Sequence, residues 1–347
     1  MAQAVKDQKN IWIDLGNTPH VLFFEALAKE FESRGHRVLW TARDYAQTVP
    51  LAAEVGINAE VIGRHGGKSI LSKLWQYSSR VYQLLRWARG KKIDLVVSHS
   101  SQEPLAVARL MGISSVNLMD YEHHPANHVS FRMAKRVIVP SSFPDEALRR
   151  FGVTGNKVRR FDGIKEDVYL AAAALNENGL PEIGVSPDDI LVVIRPHASE
   201  ALYHRGIENE LLSAAIDRFA AVNGCKIILL PRTESQRDEL RERHPQPNVI
   251  IPQTALHGRR LVGAADLVVS CGGTMNREAA ALGVPTATLF MGQPAAIDDY
   301  LVEEGRMVRI STLADLHRLA IRKKEAPVPR GLNSVRSAVA DLILEGI

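Results

Sequence analysis

The chain has only two cysteines in 347 residues, Cys225 and Cys271, with no C-x-x-C spacing and no cysteine–histidine pairing. That scarcity argues against a disulfide framework and a structural zinc site, and for a reducing compartment. No apolar run approaches the ~20 residues a membrane span needs. The polar start MAQAVKDQKN lacks the apolar core of a signal peptide. The expected location is cytoplasmic. Two nucleotide fingerprints are also missing. There is no G-x-G-x-x-G, and GRHGGKS fails the P-loop spacing because Ile62 stands where a glycine is required. Finally, Val61 to Ile93 holds eight Lys or Arg and not one acid, in a chain with 39 acidic residues. The net charge of +4 is too small to imply nucleic acid, and none is expected as a partner.

What is present describes a globular enzyme-like chain, 46% hydrophobic and 24% charged, long enough for two domains. Short β-branched runs alternate with amphipathic helical stretches. One set of strands is IWIDL (11–15), RVLWTA (37–42), AEVI (59–62), DLVVS (94–98), SVNLM (115–119) and RVIVP (136–140). A second set is ILVVIRP (190–196), KIILLPR (226–232), NVIIP (248–252), DLVVS (266–270) and PTATLF (285–290). Near-continuous apolar strands between helices mean parallel sheets covered on both faces. The expected fold is α/β: two doubly wound, Rossmann-like domains facing a cleft. They span 1–170 and 190–330, with a connection at 171–189 and a terminal helix at 331–347.

In such sheets ligands sit beyond the carboxyl ends of strands, so motifs that follow strands are the candidates. After the first strand comes GNTPH. Asn17 or Thr18 can cap the next helix, and His20 falls in its first turn, where the helix dipole favours a neutral imidazole fit to act as a base. The fourth strand leads to His99, and the fifth to MDYEHHPANH, with Asp120, Glu122 and His123 as acid–base candidates. His124 and His128 match no zinc spacing, and no metal is expected.

The second set places Arg195 and His197, then Tyr203, after one strand and Arg232 after the next. Arginine's planar fork suits phosphate oxygens. SCGGTMNREAAALG offers Gly272, Gly273 and Thr274 at a helix start, where free amides and the dipole attract an anion. Glu278, one turn on, can accept from a ribose diol. These residues converge on a pyrophosphate.

The acid-free segment carries Trp75, Tyr77, Tyr82 and Trp87 among Lys68, Lys73, Arg80, Arg86 and Arg89. A basic helix with aromatics suits an anionic membrane surface or a lipid-linked acceptor, here over residues 68–92, and would make the protein peripheral at the inner membrane face.

The motifs together resemble known families. The GG and E-A-A-x-x-G-x-P elements and the helix-heading histidine are similar to the GT-B group of nucleotide-sugar glycosyltransferases and non-hydrolysing UDP-N-acetylglucosamine 2-epimerases. DLGNTPHVLFF, SHSS, DYEHH, FDGIKEDVYL, VIRPHASEALYH and LLPRTESQ more closely resemble an archaeal and bacterial domain of unknown function, over roughly residues 10–310. The GT-B resemblance implies transfer of a sugar from a nucleoside-diphosphate donor, UDP-linked, to an acceptor, with no cofactor or metal. It places the donor on Gly272, Gly273, Thr274 and Glu278, the diphosphate near Arg195, and an acceptor-activating base at His20. RPHASEAL stands where the epimerases carry H-R-x-E-N. Epimerisation, or sugar-nucleotide binding without turnover, are the alternatives.

Overall fold

The computed structural model describes residues 8–64, 70–170, 180–197, 206–254, 256, 258–330 and 333–345. The chain divides into two compact units, Met1–Tyr169 with Leu332–Ile347, and Leu170–Gly331.

The first unit holds a seven-stranded sheet. Its strands are β1 (Asn10–Leu15), β2 (Arg37–Asp44), β3 (Glu60–Arg64), β4 (Leu95–His99), β5 (Ser114–Leu118), β6 (Arg136–Pro140) and β7 (Val158–Phe161). They run parallel in the order β3-β2-β1-β4-β5-β6-β7. The second unit repeats the plan with β8 (Ile190–Arg195), β9 (Cys225–Leu229), β10 (Val249–Ile250), β11 (Leu267–Ser270), β12 (Thr286–Thr288) and β13 (Val308–Arg309). These are also parallel, in the order β10-β9-β8-β11-β12-β13. Central strands are buried along nearly their whole length, as helices on both faces require. In each unit the winding reverses beside the first strand, between β1 and β4 and between β8 and β11. In each unit the carboxyl ends of that strand pair therefore open a crevice of the kind where doubly wound sheets take ligands.

Two strands escape the sequence pattern. The β7 segment VRRF carries two arginines at a sheet edge, and β13 is two residues long. The final helix, Asn333–Leu344, belongs to the first unit. Arg34 fastens it by bonds of 2.5 Å to Asp341 and 2.7 Å to the Ser337 hydroxyl, over buried Val339, Ala340 and Ile343.

The helix Ile70–Ala88 corrects one expectation. Arg80, expected to face an anionic surface, is 2% exposed and points into the sheet. Its guanidinium donates to both Asp14 oxygens at 2.7 and 3.2 Å and, through Nε, to the Ile62 carbonyl at 2.9 Å. It also lies 3.5 Å from Glu103, which pairs in turn with Arg43. The Thr41 hydroxyl donates to Asp14 and accepts from the Trp12 indole, so each buried charge has partners. Gly63 adopts φ +81°, and a Cβ there would lie 2.9 Å from Arg80 Cδ. Trp87 is buried too, its ring 5.0 Å from that of Trp12. Asp14 is fully buried, and a buried carboxylate left without a counter-charge is strongly unfavourable, which is why Arg80 turns inward to it.

Candidate functional site

In the first unit the crevice gathers His20, His99, Asp120 and Lys165. His20 stands in the first turn of the helix Pro19–Ser33, and its ring lies 4.6 Å from that of His99. His99 ends β4 and is buried, with Nε2 3.3 Å from Asp120 Oδ1. The other Asp120 oxygen accepts from Lys165 Nζ at 2.9 Å, and Lys165 lies 3.7 Å from Glu166. Among the described residues, buried Nδ1 of His20 and of His99 have no hydrogen-bond partner. Burial first, then His99 and Lys165, push the His20 pKa well below its ordinary 6.5, although Asp120 pulls upward. The low pKa expected of this position thus has desolvation as its leading cause.

The backbone around this cluster is unusual. Ser100, a non-glycine residue, adopts φ +62°, held by its amide donating to Asn117 Oδ1 at 3.1 Å. Such a conformation costs roughly 1–2 kcal/mol. Among the described residues its buried hydroxyl has no hydrogen-bond partner, and neither does the Asn117 amide nitrogen. A Cβ at Gly16 would collide with the Ser101 hydroxyl, so only glycine lets the loop after β1 approach the loop after β4. Backbone strain and buried polar atoms without a partner among the described residues coincide in this loop, which makes it a candidate site.

In the second unit Arg195 ends β8, Arg232 follows β9, and Gly272–Gly273 follow β11. The helix Gly273–Leu282 has Gly272 at its N-cap and no side chain capping its first turn. A Cβ on Gly272 would lie 3.1 Å from the Arg232 guanidinium, and one on Gly273 3.1 Å from that of Arg277. Arg277 is engaged by Asp298, at 2.7 and 3.1 Å. Among the described residues Arg195 and Arg232 have no ion-pair partner, and Arg195 Nε is buried without a hydrogen bond. Burial lowers the pKa of both, Arg195 depressing Arg232 further, while the charge of Glu278 favours Arg195. Arg195, partly buried, and Arg232, exposed, thus stand beside a helix start that no side chain caps, a combination chemically suited to an anion. Gln236 braces it, accepting from the Arg232 amide at 2.8 Å and donating to the His197 carbonyl at 3.1 Å.

The remaining candidates are placed less centrally. Asn17 is exposed and accepts from the Thr18 amide at 2.8 Å instead of capping the helix. Thr18 accepts from the Gln47 amide at 3.2 Å. Glu122 is buried and pairs with the neighbouring His123 ring at 3.4 Å. Thr274 is exposed, and Tyr203 lies outside the described residues. Sequence reasoning missed Lys165, Ser100 and Asn117. Lys165 lay in plain view within FDGIKEDVYL, but nothing in the spacing tied it to Asp120, 45 residues away. A cavity of about 680 Å³ lies elsewhere, on the amino-terminal edge of β11–β13 between Asp266, Thr286 and Val308. Parallel sheets do not place their chemistry at that edge.

Two such Rossmann-like units, each with polar groups at its switch point, define a GT-B-type fold. The chain belongs to the family described as protein of unknown function (DUF354), matched over residues 9–345. It is 29% identical to the uncharacterized protein MJ0665 of Methanocaldococcus jannaschii, covering 88% of this chain and 89% of that one. It is 26% identical to the UDP-N-acetylglucosamine–N-acetylmuramyl-(pentapeptide) pyrophosphoryl-undecaprenol N-acetylglucosamine transferase of Burkholderia vietnamiensis, over 82% and 76% of the two chains. Among solved structures, UDP-GlcNAc 2-epimerase from Methanocaldococcus jannaschii matches with a TM-score of 0.73 at 14% identity, over 97% of this chain and all of that one. Acinetobacter baumannii MurG matches at 0.56 and 16%, over 98% and 100%.

Proposed function

We propose that the protein transfers a sugar from a UDP-linked donor to an acceptor hydroxyl. One observation carries this: Arg195, partly buried, and Arg232, exposed, have no carboxylate ion-pair partner among the described residues and stand beside the glycine start of a helix, at the switch point of the second unit. That arrangement supports a diphosphate as its occupant, with Glu278 toward the ribose and Gly272, Gly273 and Thr274 at the phosphates. The transferase relative acts on a UDP-sugar by its name, and the same class of donor suits this site.

The reaction forms a bond from the acceptor oxygen to the sugar's anomeric carbon and breaks the bond from that carbon to the diphosphate. The electron pair leaves with UDP, and Arg195, Arg232 and the helix amides take up its charge. The acceptor proton goes to an imidazole. His20 suits this role because burial lowers its pKa and so favours the neutral ring that can accept a proton.

The test is incubation of the protein with UDP-GlcNAc and other UDP-sugars, alone and with sugar or lipid-linked sugar acceptors. Free UDP appearing only with acceptor is the expected result. A 2-epimer formed from the UDP-sugar alone would replace transfer by epimerisation. Binding without turnover across the panel would leave a sugar-nucleotide-binding protein.

A further inference from the structure

The outward face of the helix Ile70–Ala88 serves none of the groups described so far. At 100° per residue, Leu74, Trp75, Ser78, Tyr82, Arg86 and Arg89 fall on one arc of about 120°, opposite the buried Arg80, Leu84 and Trp87. Leu74 is 59% exposed, Trp75 75% and Tyr82 58%. Large apolar side chains standing this far into solvent two turns apart on one arc mark an interaction surface. The same arc turns basic toward its carboxyl end at Arg86 and Arg89, and exposed Lys91 and Lys92 follow.

Two acids of the neighbouring strands have partners of their own. Glu60 accepts from the Trp87 indole at 2.5 Å, and Asp44 lies 3.5 Å from Arg64. From Val61 to Ile93 there are none. We propose that this face docks on an anionic lipid surface, Leu74, Trp75 and Tyr82 entering the headgroup region while Arg86, Arg89, Lys91 and Lys92 meet lipid phosphates. The charge complementarity selects a lipid surface over a second copy of the chain, because two such basic faces would repel. The Arg80 network fixes the helix to the sheet, so the face meets the surface as a rigid platform. Docking is independent of the transfer reaction and stands or falls separately from it.

Co-sedimentation with vesicles of equal parts phosphatidylglycerol and phosphatidylcholine, and with phosphatidylcholine alone, tests this. Binding is expected to the anionic vesicles only, and to be reversed at 1 M salt, where screening shortens to about 3 Å. Each basic residue adds about 1 kcal/mol near such a surface, about fivefold in partition. Arg86→Gln with Arg89→Gln should therefore weaken binding about twenty-five-fold. Trp12 and Trp87 are buried, Trp40 is partly buried within β2, and Trp75 is 75% exposed, so a blue shift of tryptophan fluorescence on binding should come chiefly from Trp75 and be lost in Trp75→Phe while partition persists. Equal binding to both vesicle types, no binding to either at low salt, or a dimer that hides Trp75 would overturn the proposal.

Discussion

His20 and Arg195 carry the two halves of the proposed chemistry, and each can be removed without disturbing the other. His20→Ala should lower turnover by about 10²–10⁴ while leaving UDP affinity nearly unchanged. Wild-type turnover in that variant would move the base to Asp120, Glu122 or His123. The pH dependence follows from the lowered His20 pKa. Activity should hold its plateau through pH 6.5 and fall only as the pH drops to the depressed value, because the neutral ring is the active form. Stability has the same sign. Below about pH 6.5 an unfolded His20 takes up a proton that the folded one refuses, so its contribution, complete above that pH, is lost as pH falls. Chemical denaturation at pH 7.5 and pH 5.5 should show a smaller pH effect in His20→Ala than in the wild type. His20 was legible in the sequence because a histidine after strand, Asn-Thr-Pro and helix start has a fixed place in the fold. Lys165 and Asn117 were not, because only the winding of the sheet brings them to that crevice.

At the scale of elements, strands and helices announced themselves wherever both faces of a strand are buried, as in β1, β4, β8 and β11. The failures came at edges, where β7 and β13 meet less of the core and need no apolar run. The segment Val61–Ile93 shows a subtler failure. Its charge was legible, but the side on which each cation falls was not, since Arg80 faces inward to a carboxylate 66 residues away in sequence. Breaking that pair strands a buried charge, so Arg80→Ala should destabilise the protein by about 3–5 kcal/mol in urea denaturation. A loss under 1 kcal/mol would show that the network is dispensable. In the second unit, Gly272 sits at φ −142°, where alanine fits without backbone strain. Gly272→Ala should therefore keep the wild-type melting temperature while its Cβ crowds Arg232 and weakens UDP binding. Unchanged affinity would mean that Arg232 does not meet the nucleotide.

At the scale of the whole molecule, the same winding is used twice and loaded differently. The first unit's switch point holds imidazoles, a carboxylate and a lysine; the second holds arginines, glycines and a bare helix start. No helix among the described residues is long and apolar enough to cross a membrane. The division of labour makes one measurement decisive: calorimetric titration of the full chain with UDP, for the wild type, Arg195→Ala, Arg232→Ala and His20→Ala, with folding checked by circular dichroism. Binding is expected in the wild type and His20→Ala, and should be weaker by about 1.5–3 kcal/mol in each arginine variant. Folded protein that takes up no UDP, or arginine variants that bind it as tightly as the wild type, would contradict the assignment of the second unit as the donor site.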